Sequence, residues 1–483
     1  MAAAFALLAG AAFADPGLAI VVSDETPLRA APRDSSKPHA MLWQGETLEV
    51  RGERMDYVQV YDHRLERGGF VSARHVRRLP LDPAGAPDLL AIVRFLRETP
   101  GSEALGIGYS AAYVRAAPAS SLRGAEGAEA FDAIGAFAER LARRASIVTS
   151  KPAQAALFGH LEVAQQYGVV FKTYERDPRM VMCYDGDAFR HVIASAASTA
   201  TQRARAALAL TRPDCAPSAL EPTARRAADE ASAELLDHVA VDGLLPHLRN
   251  RLHMRRVVVW GGLAFQRARH GESGATAAAR ALQELASVDK QQLTDEDARN
   301  YVDAAMRVNA SRWAAVTTSP ASNGRPRLVT VAGSSGETCV LLVDAKRDAT
   351  NPLARRCTYG IAWESSASLN REGNALAIAV QHTDAWRELW LFRKAGADWR
   401  VQVVPPAAIA PGVGYAEFAG WVPGGKQVLV AREAAGEGKY RRTFELLRVD
   451  TLATIAQASD PGLLPAFQRW QDPAWKQATV SLR

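Results

Sequence analysis

Only four of the 483 residues are cysteine, and no two stand in a C-x-x-C spacing. That excludes the common zinc and dithiol redox motifs. No Gly-x-x-x-x-Gly-Lys-Ser/Thr loop and no dinucleotide fingerprint occurs, so the sequence offers no ready phosphate cradle. No cofactor and no metal is expected. Lysine is scarce, 9 of 58 basic residues. Together with the abundant alanine, this reads as coding bias. The net charge is +6, yet no Lys/Arg block or basic stripe with interleaved aromatics appears. Nucleic acid is therefore not an expected partner. The basic excess sits in the last third, where it suits an acidic partner or an anionic envelope surface. Beyond the N-terminus no apolar run approaches the ~20 residues that span a bilayer, so no transmembrane segment is expected in the mature chain.

What is present begins with "MAAAFALLAGAAFADPG". Residues 1–14 read as a signal peptide: a short apolar stretch ending in the A-x-A site Ala12-Phe13-Ala14, without a positive n-region. A periplasmic or secreted protein follows. In an oxidising compartment the four cysteines favour two local disulfides, Cys183–Cys215 and Cys339–Cys357, with buried free thiols as the alternative. The length implies two to four domains.

Residues 23–80 read as short strands separated by turns. "TPLRAAPRDSSKP" is a strand and a Pro/Asp/Ser turn. Leu48 and Val50 alternate after Gly45. Val58 and Val60 alternate against Tyr57, Gln59 and Tyr61, and "GGFVSARHVRRL" closes the set. The stretches "LRAAPRDSS", "QGETLEVRGE", "DYVQV" and "GGFVSARHVRRL" resemble, in order, the "VRSGPS", "KGTKVEV", "WYKV" and "GWV…YL" segments of the bacterial Src-homology-three (SH3-like) domain family. The family tryptophans before "YKV" and in "GWV" are replaced here by Met55-Asp56 and Phe70. The resemblance implies a small β-barrel. It also implies that Trp43, Tyr57, Tyr61 and Phe70 either pack its wall and rim or form a groove for a cell-wall peptide.

Residues 87–312 read as an all-α domain. Leu89, Val93 and Leu96 recur at helical spacing, as do Phe131, Ile134, Ala138 and Leu141. Helical patterns return over 153–166, 187–210, 223–239, 275–287 and 295–309, and Thr294 is placed to cap the last. "YGVVFKTYE" is β-rich; "RRVVVWGGLAF" suits a strand or a buried helix. Catalytic patterns fail here. "GYSAA" ends in Ala112 and is not a nucleophile elbow. "DGD" at 185–187 is too short for a calcium loop, and His247 and His253 do not share a helix face.

Residues 313–483 turn β again, in three units of strand, turn and strand. Trp421-Val422-Pro423-Gly424-Gly425-Lys426 resembles the "WSPDGK" turn of the periplasmic propeller proteins of the Tol system, and "LNREGNALAIAV" echoes it. That resemblance implies a propeller-like domain; a β-sandwich is the alternative. The expected fold class is multidomain α+β. Two functions fit it. One is an exported binding or scaffold protein that engages peptidoglycan or an envelope protein without catalysis. The other is a cell-wall hydrolase or amidase targeted by the SH3-like module, for which Cys183 with His191 is the nearest Cys/His pair.

Overall fold

The computed structural model describes residues 17–176, 179–217, 220–316, 325–408, 412–436 and 439–482. The expected signal segment 1–14 lies outside them. The protein is mixed α+β, with an N-terminal antiparallel sheet, a helical middle region and C-terminal sheets. It divides into two compact units, residues 1–219 and 220–483, so the helical segments are shared between them.

The first unit opens with seven short strands: β1 (Leu18–Val21), β2 (Thr26–Arg29), β3 (Pro38–Leu42), β4 (Thr47–Arg54), β5 (Tyr57–Asp62), β6 (Arg67–Ser72) and β7 (Val76–Arg78). They form one antiparallel sheet in the order β3-β2-β6-β5-β4-β1-β7. Period-two alternation drives it: Val58 and Val60 of β5 join Leu48, Val50 and Val71 in a buried apolar cluster. Helices follow: α1 (Ala86–Arg97), α2 (Glu103–Ala116), α3 (Ala119–Arg123), α4 (Ala125–Ile147) and α5 (Lys151–Gln166). The hairpin β8 (Phe171–Arg176) and β9 (Arg179–Tyr184) comes next, then α6 (Asp187–Ala194) and α7 (Ala200–Leu210). The continuous pattern expected over 187–210 is two helices. The Thr199 hydroxyl and the Gln202 side chain form a reciprocal capping box that starts a new helix at Ala200. The Cys183–Cys215 disulfide ties β9 to the turn after α7.

Sheet and helices in this unit share a core. Ile20 and Leu79 belong to the same buried cluster as Leu89, Ile107, Phe137 and Leu161. Two glycines permit the approach. Gly45, at φ +94°, turns β3 into β4 so closely under α2 that a Cβ would lie 2.5 Å from the Ala104 carbonyl oxygen. A Cβ at Gly159 of α5 would lie 2.4 Å from the Trp43 ring. Tyr167 Oη donates to the Gly45 carbonyl at 2.6 Å, and His160 Nε2 lies 2.8 Å from Asp24 Oδ1.

The second unit begins with α8 (Pro222–Asp237), α9 (Pro246–Arg269), α10 (Ala275–Ala286) and α11 (Asp295–Ser311). "RRVVVWGGLAF" is the interior of α9, the buried-helix option. Thr294 caps α11 as expected, its hydroxyl accepting from the Asp297 amide at 3.2 Å. The strands are β10 (Arg327–Ala332), β11 (Thr338–Val343), β12 (Ala354–Thr358), β13 (Ile361–Leu369), β14 (Ala375–Thr383), β15 (Trp386–Ala395), β16 (Asp398–Val404), β17 (Val413–Val422), β18 (Gln427–Gly436), β19 (Lys439–Arg448) and β20 (Thr454–Ala458). They form three consecutive antiparallel meanders. β10-β11-β12 is a separate sheet that carries the Cys339–Cys357 disulfide between β11 and β12. β13–β16 and β17–β20 join into an eight-stranded sheet through a short parallel pairing of β15 with β17. Two helices, α12 (Pro465–Trp470) and α13 (Pro473–Leu482), end the chain inside the region expected to be β. Their apolar residues Phe467 and Trp475 cover Phe444.

The two turns singled out in the sequence are neighbours. Gly424 and Gly425 both adopt positive φ, and the Gly424 amide donates to Glu372 Oε1 at 2.7 Å. Trp421 Nε1 donates to Ser368 Oγ at 3.2 Å.

Candidate functional site

A large concave feature lies in the second unit, a cleft of about 570 Å³. Its lining includes Arg312, Trp313, Phe418 and Trp475, with Ser365, Ser366 and Ser368 from β13. A bulge in β13 brings those serines to the cleft, with Ser366 buried. Trp363 pairs with Ala379 and Ser368 with Ala377, so residues 364–367 stand opposite Ile378 alone. Ser366 Oγ is spent on the bulge itself, donating to the Trp363 carbonyl at 2.6 Å and accepting from the Ala379 amide at 2.8 Å.

At this cleft sits a buried ion cluster. Glu417 of β17 accepts at Oε1 from Arg312 Nε at 2.8 Å and from Arg387 Nη2 at 2.9 Å. Its Oε2 accepts from Trp475 Nε1 at 3.0 Å. Arg387 of β15, 0% exposed, also donates from Nη1 to the carbonyls of Asn309 and Ala310. Those carbonyls end α11, where the helix macrodipole favours a cation. Burial pushes Glu417 up, but the charges of Arg312 and Arg387 outweigh it and hold the carboxyl below its ordinary range. Burial brings Arg387 down to about 10, against the pull of Glu417. The second carboxylate of the cleft, Asp472, accepts from the Ala474 amide at 2.8 Å and opens α13. Both acids are committed, Glu417 to two guanidinium groups and an indole and Asp472 to the first turn of α13, an arrangement that suits recognition better than proton transfer.

The four aromatics singled out in the sequence fall in two places. Register pairs Tyr57 with Ser72, Gln59 with Phe70 and Tyr61 with Gly68. Tyr57, Phe70 and Tyr61 therefore share the sheet face opposite Val58, Val60 and Val71, with Phe70 diagonal to both tyrosines. Tyr57 Oη donates to Asp34 Oδ1 at 2.6 Å. The Arg51 guanidinium lies 4.0 Å over the Tyr61 ring, and His63 meets that ring edge-on at 5.0 Å. Trp43 is elsewhere, half-buried on Gly159 with its ring edge-on to His160.

The other sequence candidates are structural. Cys183 is bonded to Cys215, which removes its nucleophile. His191 stacks on Phe131 at 4.7 Å. Ser110 is buried in α2 and donates to the Gly106 carbonyl. Asp185 pairs with Lys172 and Arg190. Glu337, Cys339 and Cys357 form the one ligand-spaced group among the described residues, but its two sulfurs are joined to each other. Arg312, Arg387 and Glu417 escaped the sequence reading. Their signal is a charge set inside an apolar strand, Arg387 in "WRELWLF" and Glu417 in "YAEFAGW". No family model, no curated protein and no solved structure matches the chain.

Proposed function

We propose that the protein is an exported, non-catalytic envelope component that binds peptidoglycan or an envelope protein through its β modules. The observation that carries this reading is the state of Glu417 in the large cleft. A hydrolase needs a carboxyl poised to give or take a proton, and Glu417 is instead held ionised by two guanidinium groups and an indole. The Cys183–Cys215 bond likewise withdraws the thiol that an amidase would use.

Export is supported by two disulfides, each closed within one unit, and by the A-x-A segment of the sequence. No helix among the described residues is long and apolar enough to cross a membrane. The SH3-like reading of the N-terminal sheet is supported by its run of short antiparallel strands and by the shared face of Tyr57, Phe70 and Tyr61. The relation to Tol-type propellers is supported by the consecutive meanders and by the adjacent glycine turns of two of them. Tyr61, with Arg51 over its ring, and Phe70, both half-buried, are the residues assigned to ligand contact.

The test is co-sedimentation of the full chain with purified peptidoglycan, with muropeptide release assayed in the same tubes. Binding without release is expected, and Tyr61→Ala with Phe70→Ala should abolish it while leaving thermal unfolding intact. Release of muropeptides would overturn the non-catalytic reading. Absence of both would leave the protein-partner half of the proposal, to be tested by capture from the envelope fraction.

A further inference from the structure

A second cavity in the same unit, of about 220 Å³, lies against α11 and the strands β17–β19. It is smaller than the roughly 300–1,000 Å³ of drug-sized sites, so its occupant is a small molecule. Its lining combines three kinds of group. The first is an acid: Glu433 of β18, 6% exposed, which accepts hydrogen bonds from the hydroxyls of Tyr415 and Tyr440. The second is an orphan. Asn309, 4% exposed, lines the cavity, and its side-chain oxygen is buried with no hydrogen-bond partner among the described residues. A buried amide oxygen left unsatisfied costs about 1–3 kcal/mol, which a donor on a bound molecule would recover. The third is a pair of cations, Lys290 and Arg442. Neither makes an ion pair among the described residues; Lys290 rests over the Tyr301 ring at 5.1 Å and Arg442 over Phe444 at 5.6 Å.

Register fixes how these groups face one another. Tyr415 pairs with Glu433 across β17–β18, and Glu433 with Arg442 across β18–β19. Acid, phenol and guanidinium thus form one row on one sheet face. Tyr301, Tyr415 and Tyr440 contribute rings, whose faces attract a cation. Positive and negative recognition groups so close together, in so small a space, fit a molecule that carries both charges a few bonds apart.

We propose that this cavity binds an α-amino acid. Its ammonium is taken by Glu433 and the Asn309 oxygen and its α-carboxylate by one of the two cations, Lys290 or Arg442, which leaves the other for a second carboxylate. The two cations against one acid favour a dicarboxylic amino acid over a neutral one. This goes beyond the envelope-binding reading and does not depend on it.

Isothermal titration of the full chain with L-glutamate, glycine, acetate and methylammonium tests it. Both amino acids should bind, glutamate the tighter, and each should exceed acetate and methylammonium by about tenfold or more. Losing one charge-assisted contact should weaken glutamate about 10- to 100-fold. Lys290→Ala, at an exposed position outside the packed core, and Glu433→Gln, which keeps the side chain's size, should each do so. Acetate binding as tightly as glycine would reduce the site to an anion hole and overturn the proposal. So would heat-silent titrations with both amino acids, or unchanged glutamate affinity in the folded Lys290→Ala protein.

Discussion

Two glutamates on one face of the same sheet have opposite fates. Glu417 and Glu433, on the adjacent strands β17 and β18, are 3% and 6% exposed. Glu417 is gripped by two guanidinium groups and lies below the ordinary carboxyl range. Glu433 is held by two tyrosine hydroxyls, and burial pushes it above that range. Burial is common to both; the difference is the charge supplied. Arginine pairs recur around other buried acids. Glu103 has Arg140 and Arg144, Asp132 has Arg97 and Arg205, and Glu284 has Arg256 and Arg280. The arginine excess that reads as coding bias in the sequence therefore has structural use, since a planar fork can satisfy a desolvated carboxylate from two sides. Tyrosines stabilise an acid without fixing its charge.

The contrast should break most visibly on deletion. Glu417→Ala strands two arginines against the sheet and should cost about 3–5 kcal/mol in urea denaturation, whereas Glu433→Gln should cost about 1 kcal/mol. Equal losses would end the distinction. Next in size, Arg387→Lys cannot reach both Glu417 and the α11 carbonyls and should cost about 2 kcal/mol. Arg442→Lys, with no ion pair to lose, should stay within about 0.5 kcal/mol.

Acidity sharpens the comparison further. The stabilising share of Glu417 is present above the unfolded value of 4.5 and is lost as pH falls through its lower folded value. That of Glu433 runs the other way, present below 4.5 and lost as pH rises through its higher folded value. Glu433→Gln should accordingly flatten the decline on the alkaline side and leave the acid limb unchanged. A third buried acid, Glu46 in the first unit, extends the rule. Burial raises it to about 7 against the weaker pull of Arg64, 3.4 Å away. Stability of that unit should fall between pH 4.5 and 7 and level off above, and Glu46→Gln should remove that slope in a pH series of thermal melts.

Local pattern made much of the architecture legible. The alternation around Val58 and Val60, the spacing of Leu89, Val93 and Leu96, and the Thr294 cap all act within a few residues of chain, and the structure realises each. The local disulfides were equally readable, because each pairs a cysteine with the one nearest in sequence. The helix α2 left little trace. It is buried on nearly every side, with Gly106 against Phe137 and Gly108 against Ile20, so no apolar stripe stands out. The ion cluster of the cleft was hidden for another reason: Arg312, Arg387, Glu417 and Trp475 are far apart in sequence and meet only through strand register and the return of α13. Only the rule that an apolar strand does not bury a charge without a partner marks them in advance.

The contact between Trp43 and Gly159 has a consequence for inheritance. Small β modules commonly travel between genes as freestanding cassettes, because each closes its own core. Here any side chain added at position 159 meets the indole, and Ile20 is already buried among the helices. A recombination event that moved residues 17–79 alone would take Ile20 and Leu79 out of the interior they share with the helices. A change at Trp43, Ile20 or Gly159 is therefore felt on both sides of that contact, by the sheet and by the helices.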